Sequence, residues 1–196
     1  MLRLVKTAAP DDDDDALMAR VAAGEMAPLA ELVRRHQARA IGVALRRLGD
    51  RSLAEDAVQS AFIDLHRARN RYQARGRFRS YLYLLVLNRV RMIERKRRAL
   101  SIVTLSFWRM SERSPDVVER ALPTPADTLL GREERDGVLR AIDALPRVQG
   151  DVVALRYIAD LSMTEIAHAL EIPEGTVKSR LHTALATLRV LLRETP

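Results

Sequence analysis

Thr176, Lys178, Ser179, Arg180 and His182 fall within seven residues of one another and sit at helical spacing. With Thr183 they form an outer face. Ile166, Ala167, Leu170, Ile172, Val177, Leu181 and Leu185 form the complementary apolar side. Just upstream, Ser162 and Glu165 have the spacing of a capping box, which opens a short helix to Leu170. A three-residue turn, Glu171-Ile172-Pro173, then leads into the second helix. The pattern is that of a helix-turn-helix whose second helix enters a DNA major groove by its N-terminal part. Hydroxyls and cations at that end reach phosphates and base edges, where arginine or lysine pairs with guanine. The plainer alternative is a three-helix bundle with a polar face.

A second group lies near the middle of the chain. Between Arg67 and Arg98 there are twelve basic residues and a single acid, Glu94, for a net charge of +11. The whole chain carries only +7, so the remainder sums to −4. A cationic block on a mildly acidic protein points to a polyanion partner, against the alternative of a solvated helix face. Aromatic residues interleave with the arginines: Tyr72 in the loop, then Phe78, Tyr81 and Tyr83. Rings stack on unpaired bases and cations follow the backbone, which suits single-stranded nucleic acid. Alternatively Phe78, Tyr81 and Leu82 are core.

The chemistry that is missing narrows the choice. His36, His66, His168 and His182 lie far apart with no metal spacing, and there is no cysteine, phosphate loop or nucleophile elbow. The expectation is a non-enzyme with no catalytic residue, metal or cofactor. The longest apolar run, Tyr81 to Leu87, is seven residues, too short to cross a bilayer. The N-terminus has no apolar signal core, so a cytoplasmic protein without membrane insertion is expected. With 47% apolar and 30% charged residues in 196, the chain has enough material for one or two soluble domains. Eight glycines and eight prolines leave few turns for an all-β fold.

The positioning elements read as helices throughout. The pattern predicts helices at 16–23, 27–48, 52–69, 77–98, 128–145, 146–159, 163–170 and 174–193. Ser52 and Glu55 are read as a capping box for the third. Residues 70–76 lack periodicity and read as a loop. The fold class is all-α: two small helical domains joined by a flexible linker, the second domain a helix-turn-helix. Residues 1–15 read as a disordered acidic leader, because the five aspartates at 11–15 repel one another, with a decoy on the basic surface as the alternative. The first domain spans 16–99. The linker, 100–127, is broken by Pro115, Pro123 and Pro125. Its apolar half, including Phe107 and Trp108, either packs back on the first domain or docks into a partner. The second domain spans 128–196.

Several segments in order resemble bacterial RNA polymerase sigma factors of the extracytoplasmic-function (ECF) type. They are Ala54-Glu-Asp-Ala-Val-Gln-Ser-Ala-Phe62, Phe78-Arg-Ser-Tyr-Leu-Tyr83 with Asn88, Leu145-Pro146 with Leu155-Arg-Tyr157, and Ile172-Pro-Glu-Gly-Thr-Val-Lys-Ser-Arg-Leu-His182. The resemblance implies that the first domain, as sigma region 2, binds core RNA polymerase through Asp56, Gln59 and Phe62. It implies that Tyr72, Gln73, Arg75, Arg77, Arg79, Asn88 and Arg91 hold the melted −10 element. The second domain, as sigma region 4, would read the duplex −35 element through Thr176, Lys178, Ser179, Arg180 and His182. Promoter DNA, core polymerase and an anti-sigma factor are the implied partners. Tyr81 and Leu84 stand where the family often has tryptophan and arginine, and His66 where it often has tryptophan. Glu171 stands where the turn commonly has glycine, so a different turn geometry is expected, since a left-handed residue with a Cβ costs roughly 1–2 kcal/mol.

A stand-alone helix-turn-helix regulator would use the same final helices but would not need the 54–62 segment or the linker. A sigma mimic that only titrates an anti-sigma factor would not need the +11 block, Lys178 or Arg180.

Overall fold

The computed structural model describes residues 11–73, 75–108, 141–142 and 144–193. The expected leader at 1–10, the proline-bearing part of the linker and the start of the second domain lie outside them. Among the described residues there are seven α-helices and no strand: α1 (Asp11–Ala22), α2 (Ala27–Leu48), α3 (Arg51–Arg67), α4 (Phe78–Trp108), α5 (Arg147–Tyr157), α6 (Met163–Leu170) and α7 (Glu174–Arg193). A single 3₁₀ turn, Arg69–Arg71, follows α3. The all-α class expected from the sequence is what is observed.

Each boundary has a local cause. Pro28 pre-sets the first turn of α2, and Gly49 ends it in a left-handed conformation at φ 66°, its N–H bonded to the Leu45 carbonyl. Asp50, not Ser52, caps α3: its carboxylate accepts from the Leu53 N–H at 3.0 Å. The expected Ser52–Glu55 box is not formed, because Ser52 already lies inside the helix and Glu55 is held by Arg51 at 2.8 Å. The second box is formed. Ser162 accepts from the Glu165 N–H at 3.2 Å, and Glu165 accepts from the Ser162 N–H at 2.7 Å.

Helices α1 to α4 pack on one another, with Leu32, Ala40, Val43, Ala57, Phe62 and Leu82 among the core residues. Helices α5 to α7 form the second unit around Leu155, Leu161, Ile166, Val177 and Ala184. The two units touch: α4 packs on α6, and α2 on α5. Helix α4 runs ten residues past the expected end at 98, so the first residues of the expected linker, 100–108, are helical.

The acidic stretch differs most from expectation. Helix α1 begins at Asp11, and Asp14 and Asp15 are 3% and 7% exposed. Partners elsewhere in the fold explain this. Asp14 meets His36 at 2.7 Å and Arg35 at 3.1 Å. Asp15 accepts from the Tyr72 hydroxyl and, at 3.4 Å, from the Phe78 N–H. A buried carboxylate is tolerated when charged and hydrogen-bonding partners compensate its lost hydration.

Candidate nucleic-acid interface

Three surfaces carry the residues singled out from the sequence. The first is a groove between α2 and α3, a cavity of about 700 Å³. Asp56 and Gln59 are exposed on its border. Phe62 also lines it but is only 7% exposed, so this ring belongs mainly to the core. Sequence reasoning missed Met26 and Ile63, which are 58% and 46% exposed and line the same groove. The available signal was Ile63 itself, an apolar residue outside the buried stripe Ala54, Val58, Ala61, Phe62 and Leu65.

The second surface is the loop before α4. Tyr72, Gln73, Arg75, Arg77 and Tyr81 line an open cavity of about 330 Å³. Gln73, Arg75 and Arg77 are exposed. Tyr72 and Tyr81 are half-buried, their ring centroids 5.9 Å apart. Behind them Phe78 meets Tyr72 edge-on at 6.5 Å and His36 at 5.4 Å. The Tyr72 phenol is pushed well above its ordinary value, by burial first and by its bond to Asp15 next. It therefore stays a protonated donor and pins the loop to α1.

Of the four aromatics proposed to stack on bases, only Tyr72 and Tyr81 are open to a ligand. Phe78 and Tyr83 are 1% and 0% exposed. They are core because the start of α4 is covered on several sides, by α1, α2, α3 and α6.

The basic block is also partly spent inside the protein. Arg89 pairs with Asp64 of α3, with Nε 2.5 Å from the carboxylate. Arg97 donates to the Leu48 carbonyl at 3.1 Å. Arg79, expected to face DNA, donates instead to the carbonyls of Ala159, at 2.9 Å, and Asp160, and lies 3.5 Å from Glu165. In this arrangement Arg79 links the two helical units, because the turn that follows α5 presents the Ala159 and Asp160 carbonyls beside α4. Asn88 is exposed and accepts from Arg91 at 2.9 Å.

The third surface is the start of α7. Lys178, Ser179 and His182 are exposed, and Thr176 and Arg180 half-buried. Lys178 pairs with Glu174 one turn earlier at 3.0 Å. That pairing, and a bond from Thr164, hold the Glu174 carboxyl below its usual range. The Ser179 and Thr183 hydroxyls donate to carbonyls of their own helix at 3.1 and 3.0 Å, leaving their lone pairs outward. Glu171, in the turn, does adopt the left-handed conformation, at φ 57° and ψ 44°. The expectation of another geometry is overturned: the N–H of Ile172 closes on the Ala167 carbonyl at 3.0 Å, and that closure needs the left-handed residue. Arg180 shares a cleft of about 550 Å³ with Asn88 and Arg91 of the first domain.

Sigma-70 region 2 matches residues 32–99, and Sigma-70, region 4 matches residues 135–188. The chain is 30% identical to the RNA polymerase sigma-H factor of Pseudomonas aeruginosa over 190 residues, covering 93% of this chain and 97% of that protein. It is 29% identical to the ECF RNA polymerase sigma factor SigW of Bacillus subtilis, covering 89% of this chain and 94% of the other. Among solved structures, CnrH in complex with the cytosolic domain of CnrY shares the fold, with a TM-score of 0.67 at 23% identity over 94% of this chain and 99% of that one. The sigma factor RpoE of Bartonella quintana, in complex with the anti-sigma factor NepR, has a TM-score of 0.66 at 17% identity, covering 85% of this chain and 98% of the other. With both regions matched in order, a relative covered over nearly its whole length and further relatives named as ECF factors, this chain belongs to the ECF RNA polymerase sigma factors.

Proposed function

We propose that the chain divides promoter recognition between its two units while bound to core RNA polymerase. The groove between α2 and α3, bordered by Asp56 and Gln59 and lined by Phe62, docks on polymerase. Met26 and Ile63 add apolar area to that contact, since exposed apolar side chains beside polar ones favour protein partners. The loop cavity before α4 takes one unstacked base of the −10 strand. Tyr72 and Tyr81 form its ring-bearing wall, and Gln73, Arg75 and Arg77 follow the phosphates. Asn88 and Arg91 continue that track along α4. Helix α7 reads −35 duplex through Thr176, Lys178, Ser179, Arg180 and His182. Polymerase supplies the phosphoryl chemistry. An anti-sigma factor is a further partner, as it is for the Bartonella protein of the same fold.

The observation that carries this reading is the loop cavity, with two half-buried tyrosines and three exposed polar or cationic side chains in one chain with a helix-turn-helix. A regulator that acts only on duplex DNA has no use for it. Run-off transcription with purified core polymerase on genomic fragments tests the proposal. Discrete start sites sharing two spaced elements are expected. Initiation no more selective than that of core alone, or failure to co-elute with core, would replace it with the stand-alone regulator.

A further inference from the structure

One carboxylate holds both ends of the loop before α4. Asp15 of α1 accepts from the Tyr72 hydroxyl through one oxygen and from the Phe78 N–H, at 3.4 Å, through the other. Tyr72 closes the 3₁₀ turn, its N–H on the Arg69 carbonyl at 3.2 Å, and Phe78 is the first residue of α4. The N–H groups of a first helical turn have no partner within their own helix, and negative charge there suits the helix dipole. Asp15 supplies both needs from a position 63 residues earlier in the chain.

Among the described residues of the loop there is no other side-chain tie. Gln73, Arg75 and Arg77 are exposed and make no side-chain hydrogen bond or ion pair. Gly76 turns the chain at φ 65°, with nothing within 4 Å of the place a Cβ would take. The ring of Tyr72 is held differently. Its hydroxyl is bonded to Asp15, its edge meets Phe78, and it stands 5.9 Å from Tyr81 at an angle of 43°. The direction of the ring is therefore set before any base arrives, and a base that stacks on a fixed ring does not have to order it. Asp15 itself is 7% exposed, beneath a loop that carries cations. Its charge has the sign of a phosphate, so what it contributes to strand binding is geometry and not attraction.

We propose that Asp15 is a positioning residue for capture of the −10 strand. It touches no DNA. By tying Tyr72 and Phe78 to α1 it fixes the ring-bearing wall of the cavity and the span on which Gln73, Arg75 and Arg77 meet the strand. This rests on the loop cavity being the −10 site, as proposed above, and makes the first helix of the chain part of promoter reading.

Holoenzyme titrated on two fragments of a promoter mapped by run-off transcription tests this. One fragment has its −10 bases unpaired, and the other is a duplex that ends upstream of them. Tyr72→Phe keeps the ring and removes the bond. It should bind the unpaired fragment about three- to tenfold more weakly, the cost of ordering one side chain on binding. Asp15→Ala frees both ends, and a loss of at least about tenfold is expected. Asp15→Asn should come within about threefold of native affinity, since its amide can donate to the Tyr72 oxygen and accept from the Phe78 N–H. All three should bind the −35 duplex and core polymerase as the native protein does. Asp14→Asn weakens the neighbouring contact with His36 and leaves the loop ties in place, so it serves as the stability control and should keep native affinity for the unpaired fragment. Native affinity of Tyr72→Phe and Asp15→Ala for that fragment would overturn the proposal. An equal loss by Asp14→Asn would also overturn it, by making Asp15 a merely structural residue. If Asp15→Ala does not fold, Tyr72→Phe decides by itself. Arg75→Ala with Arg77→Ala separates the clamp from the reading beneath it. No loss on the unpaired fragment would remove the −10 role of the loop, whereas a loss there beside native behaviour of Tyr72→Phe would keep that role and remove the clamp.

Discussion

Asp14 and His36, 22 residues apart in sequence, meet at 2.7 Å with side chains only 4% and 8% exposed. Arg35 reaches the other carboxylate oxygen at 3.1 Å. This contact, with the Tyr72–Asp15 bond, fastens α1 across α2 and the loop that precedes α4. Two of five consecutive aspartates thereby serve as structural anchors of the domain proposed to bind polymerase and the −10 strand.

Burial alone would raise the Asp14 carboxyl, but the bonds and charges of His36 and Arg35 outweigh it and hold it below its usual value. A carboxyl depressed in the folded state stabilises fully above its unfolded value, near pH 4, and that contribution is lost as pH falls through the folded value. Urea denaturation at pH 6 and pH 3 should show a larger loss for the native protein than for Asp14→Asn. At pH 6 the variant should itself be weaker by about 1–3 kcal/mol, the cost of disturbing a buried hydrogen-bonded group.

Replacing Asp50 by alanine should destabilise the protein by about 0.5–2 kcal/mol through loss of the α3 cap. Ser52→Ala should change stability by less than about 0.5 kcal/mol, as expected of an exposed helical position. Thermal or urea melts of the two variants distinguish a cap at Asp50 from one at Ser52, and equal losses would contradict the observed geometry.

Glu171→Gly removes the left-handed strain of a residue bearing a Cβ, while the freer unfolded chain takes back part of the gain. A net stabilisation of up to about 1 kcal/mol is expected in a melt, with the helix-turn-helix otherwise unchanged. A destabilised variant would mean that the Glu171 side chain supplies an interaction outweighing its strain.

Lys178→Ala with Arg180→Ala should weaken −35 binding by roughly 1–3 kcal/mol if one of them touches a base, and flatten the salt dependence by about one unit of slope for each phosphate no longer neutralised. Titrations of holoenzyme on promoter DNA at several salt concentrations measure both. Binding to core polymerase should persist. An equal fall in core binding would show that α7 does not act on DNA alone.

Local regularities made much of this protein legible in its residues. Apolar spacing near 3.6 places α2, α6 and α7, and side chains three residues apart build the Ser162–Glu165 box, because these patterns depend only on near neighbours in the chain. The motifs at 54–62 and 172–182 likewise led to the family. Where charges and rings point was another matter. Arg79 and Arg89 look alike in the sequence, yet one meets carbonyls 80 and 81 positions on and the other a carboxylate 25 positions back. Asp14 and Asp15 read as repelling neighbours until His36, Arg35, Tyr72 and Phe78 surround them. Tyr83 lies in the run Tyr81 to Leu87, which is apolar on every side, and Phe78 stands between two arginines, so periodicity could not tell a stacking ring from a core one. A buried charge or ring is settled by whichever distant helix covers it, and that pairing exists only once the helices have packed.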